Sequence, residues 1–307
     1  MMMEYSLITP YGVMTAAAAL CAFALLLAQR RRMAGKESAG VIGLCDPLEL
    51  ALCCIPAAFV GARFLYCLVR ADFYLMEMGP AAILRTWEGG FLLYGAVFGA
   101  LGAAALLAKA RRVSVAATLD ELAAPGLLAV VICRLAERFT TEGVGPWIEN
   151  EALWRFPVAV ENEWGEWQLA VFLMEAAVAA VLLIVILRTH LAPGGRILRA
   201  LLLYAACQVL LESLRMDSCL RIGFVRVSQV ISGVLILIIT GLRAYRVGGM
   251  KRAWPRMLLV GVCAGAVGGI EWALDKTPVS NILLYLVMAL VCAVMIVNGL
   301  KAAPAEK

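Results

Sequence analysis

Apolar segments about as long as a membrane is thick recur along this chain of 307 residues. A helix needs about 20 consecutive apolar residues to cross a bilayer. Hydrophobic residues make up 63% of the chain and charged residues only 16%, a composition that excludes an ordinary soluble domain. We predict an all-α, polytopic transmembrane protein with about nine spans. The predicted spans lie near residues 11–28, 49–69, 89–108, 116–136, 168–187, 198–214, 227–245, 257–274 and 279–299.

Basic residues are unevenly divided among the connections between these segments. Arg30, Arg31, Arg32 and Lys36 follow the first segment, and the third, fifth and seventh connections are also rich in Arg and Lys. Such connections stay in the cytoplasm. We therefore predict that the N-terminus is outside and that the C-terminus, Lys307, is cytoplasmic. The residues before the first segment lack the basic run of a signal peptide, so we expect this segment to remain as an anchor.

The sixth segment contains a stripe of polar residues. Tyr204, Gln208, Glu212 and Arg215 follow one another at spacings of four, four and three residues, so they share one helix face. A carboxylate in hydrocarbon is costly unless it faces a polar cavity or a partner charge. We therefore expect the stripe to form the functional site and Glu212 to pair with Arg134 or Arg215.

The end of the fourth segment offers a possible phosphate site. Arg134, Arg138 and Glu142 are spaced by four residues and share a face if the helix continues. Guanidinium groups bind phosphate well because they offer planar, paired donors. The same spacing also suits a cluster of surface ion pairs with Glu137 and Glu142, and both interpretations remain open.

Glu175 and Arg63 also lie within predicted spans, and the single histidine lies outside them. Glu175, in the fifth segment, needs a partner inside the membrane, whereas Arg63, in the second, could extend its long side chain to the surface. The only histidine, His190, lies in a predicted cytoplasmic connection. A His-rich metal site or a Ser–His triad is therefore excluded.

Small residues at every fourth position predict two close helix contacts. Gly95 and Gly99 form one such motif in the third segment, and Gly261, Gly265 and Gly269 form a doubled motif in the eighth. Residues of this size let two helix backbones approach each other in a membrane.

The order of several motifs resembles the prolipoprotein diacylglyceryl transferase family. Arg63 lies late in the second segment, and the other motifs are Tyr11-Gly12, WEGGFLLYG, CRLAERFTTEG, Gln168-Leu169, YAACQVLLESLR and VSQVIS, in this order. The resemblance covers about residues 5–247, and the family has seven spans. We therefore predict a seven-span core, residues 1–247, with an outer loop or arm at 143–167. An additional two-span hairpin, residues 248–307, is expected to be structural.

This resemblance implies an enzyme of the bacterial cytoplasmic (inner) membrane that carries out the first step of lipoprotein maturation. It would move the diacylglyceryl group of phosphatidylglycerol to the lipobox cysteine of a preprolipoprotein signal peptide, leaving a thioether and glycerol 1-phosphate. The implied partners are these two substrates and membrane lipids, without nucleic acid. No metal and no soluble cofactor take part, and the protein is expected to be a monomer.

The resemblance also assigns roles to individual residues. The implied catalytic residues are Tyr11, Tyr94, Glu142, Tyr204 and Glu212, and the implied lipid-phosphate residues are Arg134, Arg138, Gln208 and Arg215. Arg134 matches the arginine of the family signature, and Tyr94 stands where many members have His and others have Tyr.

The chain departs from the family pattern at several polar positions. Glu137 and Thr140 replace two asparagines, and Gln208 replaces an arginine. Arg138, one helical turn beyond Arg134, is positioned to supply the missing charge. Three functions therefore remain open: the transferase, a homologue that binds lipid or lipoprotein without catalysis, and a transporter that uses Glu175 and Glu212 to move protons or ions.

Overall fold

The computed structural model of the protein describes residues 9–34, 44–217, 220–277 and 280–302. Lys36 and Lys307, which enter the prediction of orientation, lie outside these residues. The described part is mostly helical, and eight of its helices are long and apolar enough to cross a membrane. The helices are α1 Pro10–Ala34, α2 Pro47–Val69, α3 Leu93–Ala110, α4 Val115–Ala136, α5 Val171–Arg188, α6 Gly195–Leu214, α7 Val227–Lys276 and α8 Asn281–Leu300.

Helix α7 contains two of the nine predicted spans. It is 50 residues long, and its backbone leaves the helical conformation only at Gly248 and Gly249. Gly249 has a φ of +64°, a conformation that glycine adopts without strain. The two arms of α7, residues 227–247 and 250–276, therefore correspond to the seventh and eighth predicted spans, joined by two glycines rather than by a loop.

Local chemistry explains where other helices begin. Asp46 caps α2, because its side chain accepts hydrogen bonds from the backbone nitrogens of Leu48 and Glu49. The predicted third span began at residue 89, but α3 begins at Leu93. Gly89 and Gly90 have φ values of +78° and +77°, which are incompatible with a right-handed helix.

The chain forms two compact units. The larger unit contains Met1–Ala18, Leu127–Leu191 and Leu198–Lys307, and the smaller unit contains Ala19–Gly126 and Ala192–Ile197. In the smaller unit, the buried carboxylate of Asp120 accepts hydrogen bonds from the backbone nitrogens of Gly194 and Ile197, at 2.7 and 2.8 Å. Asp120 thereby satisfies backbone donors at the beginning of α6.

One of the two predicted glycine contacts is confirmed in the smaller unit, where α2 and α3 touch at backbone distance. A Cβ atom added at Gly95 would lie 2.3 Å from the carbonyl oxygen of Gly61, and one at Gly99 would lie 2.1 Å from that of Ala57. No larger residue fits at these two positions without displacing a helix.

The other predicted glycine contact is wrong. Within the described residues, Gly261, Gly265 and Gly269 have no other part of the chain within 4 Å of an added Cβ atom. The second arm of α7 packs instead through its opposite face, which carries Val260, Cys263, Val267 and Ile270. Bulky apolar side chains therefore make this contact, and the glycines remain exposed.

Arg63 is buried in the smaller unit, so the possibility that its side chain extends to the surface is not realised. It is 4% exposed, and its guanidinium donates hydrogen bonds to backbone carbonyl groups of a single segment that follows α2. The acceptors are the carbonyl oxygens of Ala82, Ile83, Arg85, Gly89 and Gly90. One guanidinium group thus supplies hydrogen-bond donors to the carbonyl groups of the irregular segment between α2 and α3.

The core of the larger unit joins both arms of α7 to α6 and α8. Leu202 and Val209 of α6 pack with Ile236 of the first arm, with Val260 of the second arm and with Met288 of α8. The predicted C-terminal hairpin therefore shares one apolar core with the sixth and seventh predicted spans.

A small β-hairpin begins in the predicted outer arm, residues 143–167, and ends just beyond it. Strand β1, Ala159–Glu161, pairs antiparallel with β2, Trp167–Leu169, and the indole ring of Trp154 stacks on that of Trp167. Because Trp167–Leu169 is a strand, α5 begins at Val171 rather than at the predicted residue 168. A second pair, β3 Arg221–Ile222 and β4 Val225–Arg226, precedes α7.

Candidate active site

Two arginines and two glutamates form a buried cluster in the larger unit. Arg134 lies at the C-terminal end of α4, Glu137 in the single helical turn after it, Glu175 in α5, and Arg215 directly after α6. Each of the four residues is at most 7% exposed. Because they come from three helices, the cluster forms only when the helices are packed.

Glu175 joins the two arginines. Its Oε2 atom lies 3.0 Å from Nε of Arg134 and 3.3 Å from Nη1 of Arg215. Glu137 forms a second bridge, because one carboxylate oxygen pairs with Nη1 of Arg134 and the other lies 3.7 Å from Nη1 of Arg215. Buried charges are costly unless they are paired, and these contacts supply the partners.

In the part of the chain that the structure describes, an amide holds Glu212, and the expected ion pair with Arg134 or Arg215 is absent. Nε2 of Gln208 donates to Oε1 of Glu212 at 3.0 Å and to Oε1 of Glu175 at 2.9 Å. Gln208 is 1% exposed. Within the predicted stripe, Gln208 and Glu212 are therefore hydrogen-bonded to each other, and the carboxylate that receives the arginines is Glu175.

Asp217 fixes Arg215 from the opposite side. It accepts hydrogen bonds from Nε and Nη2 of Arg215 at 3.0 and 2.5 Å, and from the backbone nitrogen of Gly143 at 2.8 Å. Burial acts to raise the pKa of Asp217, but hydrogen bonds and charge from Arg215 outweigh it and lower this pKa. Burial and the charge of Arg134 act to lower the pKa of Arg215, and the carboxylates of Glu175 and Glu137 reverse this effect and raise it.

Tyrosines lie beside this cluster. Tyr204 of α6 is 7% exposed, and Arg134 and Glu175 are the charges that act on it most strongly. Tyr11, at the beginning of α1, lies within electrostatic reach of Cys133, Glu137 and Glu142. Two of the predicted catalytic hydroxyl groups therefore lie near the paired arginines.

Tyr94 belongs to the smaller unit. It is 2% exposed on α3, and its ring stacks on that of Phe98.

A pocket of about 490 Å³ opens between the end of α4 and the β-hairpin. Glu137 lines it, so the pocket reaches the buried cluster. Arg138 lines it as well and is exposed, in contrast to Arg134. The remaining lining residues are Phe139, Thr140, Thr141, Val144, Val160, Glu161, Asn162, Glu163, Trp164, Gln168 and Phe172.

Glu142 lies near the same cluster, beyond the end of α4. Partial burial and the negative charge of Glu137 raise the pKa of Glu142, and the positive charge of Arg215 opposes this rise. A carboxyl group with a raised pKa is a better proton acceptor than an ordinary glutamate.

Sequence reasoning missed two members of this arrangement, Asp217 and Arg226. Arg226 reaches Asp217, at 3.4 Å between Nη1 and Oδ1, and donates to the backbone carbonyl of Arg215. The sequence indicates this arrangement only weakly. Asp217 is an acidic residue two positions after Arg215, in a connection whose other charged residues are arginines.

Comparison with known proteins identifies the family. The family profile of prolipoprotein diacylglyceryl transferases matches residues 3–245. The chain belongs to this family. The match includes every residue of the buried cluster and ends within the first arm of α7.

Individual members of the transferase family are similar over most of their length. A protein named phosphatidylglycerol–prolipoprotein diacylglyceryl transferase from Listeria welshimeri is 30% identical over 245 residues, which cover 77% of this chain and 84% of the relative. A protein of the same name from Bacillus velezensis is 26% identical over 245 residues, covering 77% of this chain and 87% of the relative. Eight apolar helices among the described residues, together with membership in this transferase family, make the chain a multi-pass membrane protein.

Proposed function

We propose that this chain transfers the diacylglyceryl group of phosphatidylglycerol to the lipobox cysteine of a preprolipoprotein. The observation that supports this function best is the pair of buried guanidiniums, Arg134 and Arg215, held together by Glu175 within the region that matches the family. Two arginines shielded from water offer several directed donors to a phosphate group.

The reaction requires a leaving phosphate to be stabilised and a thiol to lose its proton. The cysteine sulfur attacks the glycerol carbon, and a carbon–sulfur bond replaces the bond between that carbon and a phosphate oxygen. The electron pair leaves with this oxygen as glycerol 1-phosphate. Arg134 and Arg215 stabilise the charge that develops on the phosphate, and this stabilisation is strong because both guanidinium groups are buried.

A bound phosphate must displace a carboxylate from the arginines. Glu137 is suited to move, because it lines the pocket and sits at the end of α4. Glu175 is suited to stay, because it is 1% exposed and Gln208 holds its other oxygen. Arg138, which also lines the pocket, then meets the phosphate on its way in.

The proton of the thiol passes to a carboxylate or to a tyrosine oxygen. Glu142 has a raised pKa and lies near the pocket residue Glu137, which makes it the favoured acceptor. The proposed catalytic set also includes Tyr11 and Tyr204, which lie near Arg134, together with Glu212 and Tyr94.

The remaining assignments follow from the same function. We place the protein in the bacterial cytoplasmic membrane as a monomer, with its N-terminus outside and its C-terminus cytoplasmic. Residues 1–247 form the transferase core, the arm at 143–167 lies over the outer leaflet, and residues 248–307 are an addition to it.

Complementation tests the proposed activity in a cell. The chain is expressed in a bacterium depleted of its own diacylglyceryl transferase, beside an Arg134→Ala variant of equal abundance in the membrane. We expect growth with the native chain and none with the variant. No growth with a correctly inserted native chain would rule out the transferase.

One observation favours a second candidate, a homologue that binds lipid without catalysis. Where the family has an arginine, this chain has Gln208, so a neutral amide rather than a cation bridges Glu175 and Glu212. Gln208→Arg separates the two functions: it should preserve or raise transfer in a competent enzyme. In a protein that only binds lipid, the variant should remain without transfer activity.

A further inference from the structure

The C-terminal hairpin lies outside the part of the chain that matches the family, yet it contacts residues that hold the candidate active site in place. The match ends at residue 245, before the second arm of α7. Glu271, on this arm, accepts a hydrogen bond from Nε2 of Gln229 at 2.5 Å. From α8, the hydroxyl group of Tyr285 contacts the backbone carbonyl of Ser213, at 3.5 Å, near the end of α6. Both contacts connect the hairpin to the part of the chain that holds Arg215.

The side-chain amide of Gln229 makes three hydrogen bonds. Its Oε1 atom accepts from the backbone nitrogen of Arg226 at 3.1 Å, and its Nε2 atom donates to the carbonyl oxygen of Val209 at 3.0 Å. These two partners determine which end of the amide is nitrogen. Glu271 accepts the second hydrogen of that nitrogen. Gln229 is 4% exposed, so loss of Glu271 would leave a buried donor without its charged acceptor.

The contacts continue from Gln229 to the candidate site. Gln229 holds the backbone of Arg226 at the beginning of α7. The guanidinium of Arg226 reaches Asp217 and the carbonyl of Arg215. Asp217 in turn holds the guanidinium of Arg215, which reaches Glu175. A continuous chain of polar contacts therefore runs from the added hairpin to a proposed phosphate-binding arginine.

We propose that Glu271 is a positioning residue for lipid transfer, which acts through Gln229 and Arg226 to hold Arg215 against the lipid phosphate. This inference rests on the proposed function. The proposed role of Glu271 means that the hairpin contributes to substrate binding, in contrast to the purely structural role expected from the sequence. Glu271 does not touch the substrate, and its effect is confined to the connection between α6 and α7.

The test compares Glu271→Ala with a control on the same arm, Asp275→Ala. Asp275 lies one helical turn beyond Glu271 and is exposed. Loss of one hydrogen bond to a charged group corresponds to about a tenfold change in binding. We expect Glu271→Ala to raise the KM for phosphatidylglycerol about tenfold, with a smaller change in kcat and in the melting temperature. Asp275→Ala should change none of these, and Glu271→Gln, which keeps an acceptor oxygen, should restore most of the affinity.

A double substitution tests the route. If Glu271 acts through Gln229, then Glu271→Ala should have no further effect on KM in a Gln229→Ala background. An equal effect in both backgrounds would overturn the proposal.

Hydrogen exchange provides a readout that does not require activity. Glu271→Ala should speed amide exchange in residues 215–229, whereas Asp275→Ala should not. If the native chain has no transfer activity and Glu271→Ala still speeds this exchange, the proposed function is contradicted and the positioning role of Glu271 remains supported. Unchanged exchange and unchanged KM in Glu271→Ala would overturn the positioning role itself.

Discussion

Glu175 is the residue on which the arginines of the candidate site converge. Its two oxygens face Arg134, Arg215 and Gln208, and it is 1% exposed. The sequence showed that this carboxylate needs a partner but not which one. The partner arginines lie about forty positions away on either side along the chain, so only the packing of α4, α5 and α6 brings them together.

Substitution of the two buried glutamates should separate folding from function. Glu175→Gln removes the charge between two guanidiniums, so we expect transfer to be lost and stability to fall by about 3–5 kcal/mol. Glu212→Gln keeps the size of the side chain and a partner for Gln208, so stability should stay near that of the native chain while transfer falls steeply. The measurements are transfer rate and thermal unfolding in detergent. A Glu212→Gln protein with full stability and full activity would remove Glu212 from the site.

The raised pKa of Glu142 predicts a particular dependence on pH. If Glu142 accepts the thiol proton, it must be ionised, and kcat/KM should fall as the pH drops through its raised pKa. Because that pKa lies above the ordinary glutamate value of about 4.3, the fall should begin at a higher pH than for an unperturbed carboxylate. Glu142→Gln should lower kcat/KM and abolish this acidic limb. If kcat/KM of the variant falls at the same acidic pH as that of the native chain, the titrating group is not Glu142.

At the scale of helices, the same glycine motif predicts a close helix contact twice, and the structure contains only one of these contacts among the described residues. In α3 it makes a backbone contact with α2, whereas in the second arm of α7 it faces away from the packed side. The motif shows that a close approach is possible, but the neighbouring helix decides whether it occurs. The lengths of the apolar segments were a better guide, since hydropathy reflects the membrane itself and does not depend on a neighbour.

The contact between α2 and α3 can be tested with two glycines of one helix. Gly99→Ala places a methyl group 2.1 Å from the carbonyl oxygen of Ala57, so we expect a loss of about 1–3 kcal/mol from overpacking. Gly102→Ala meets no other atom within 4 Å and should be neutral or stabilise the helix by up to about 1 kcal/mol. Thermal unfolding in detergent compares them. Equal melting temperatures would show that α2 and α3 are not in backbone contact.

At the scale of the whole molecule, the sequence predicted the number and order of the apolar segments well. It predicted less about what joins them. The two-glycine junction inside α7 and the β-hairpin at Ala159–Glu161 and Trp167–Leu169 depend on local backbone geometry, to which hydropathy is insensitive. The polar contacts of Glu271 were also invisible, because they join residues 42 positions apart.

The orientation of the chain in the membrane can be tested by cysteine labelling. In a chain whose ten native cysteines have been replaced, a cysteine is introduced either at Glu163, in the arm, or at His190, after α5; both positions are exposed. We expect a membrane-impermeant reagent added to intact cells to label position 163 and not position 190, because basic connections stay inside. The reverse pattern would invert the topology.

Direct measurement of the products tests the proposed transfer most sharply. Purified protein is mixed with phosphatidylglycerol and a synthetic lipobox peptide, and mass spectrometry follows the diacylglyceryl thioether and glycerol 1-phosphate. We predict that both products appear in equal amounts and that Arg134→Ala lowers their rate by at least about 100-fold, since it removes a charge that stabilises the leaving phosphate. Absence of both products from the folded native chain, under conditions in which a Listeria relative forms them, would contradict the proposed activity.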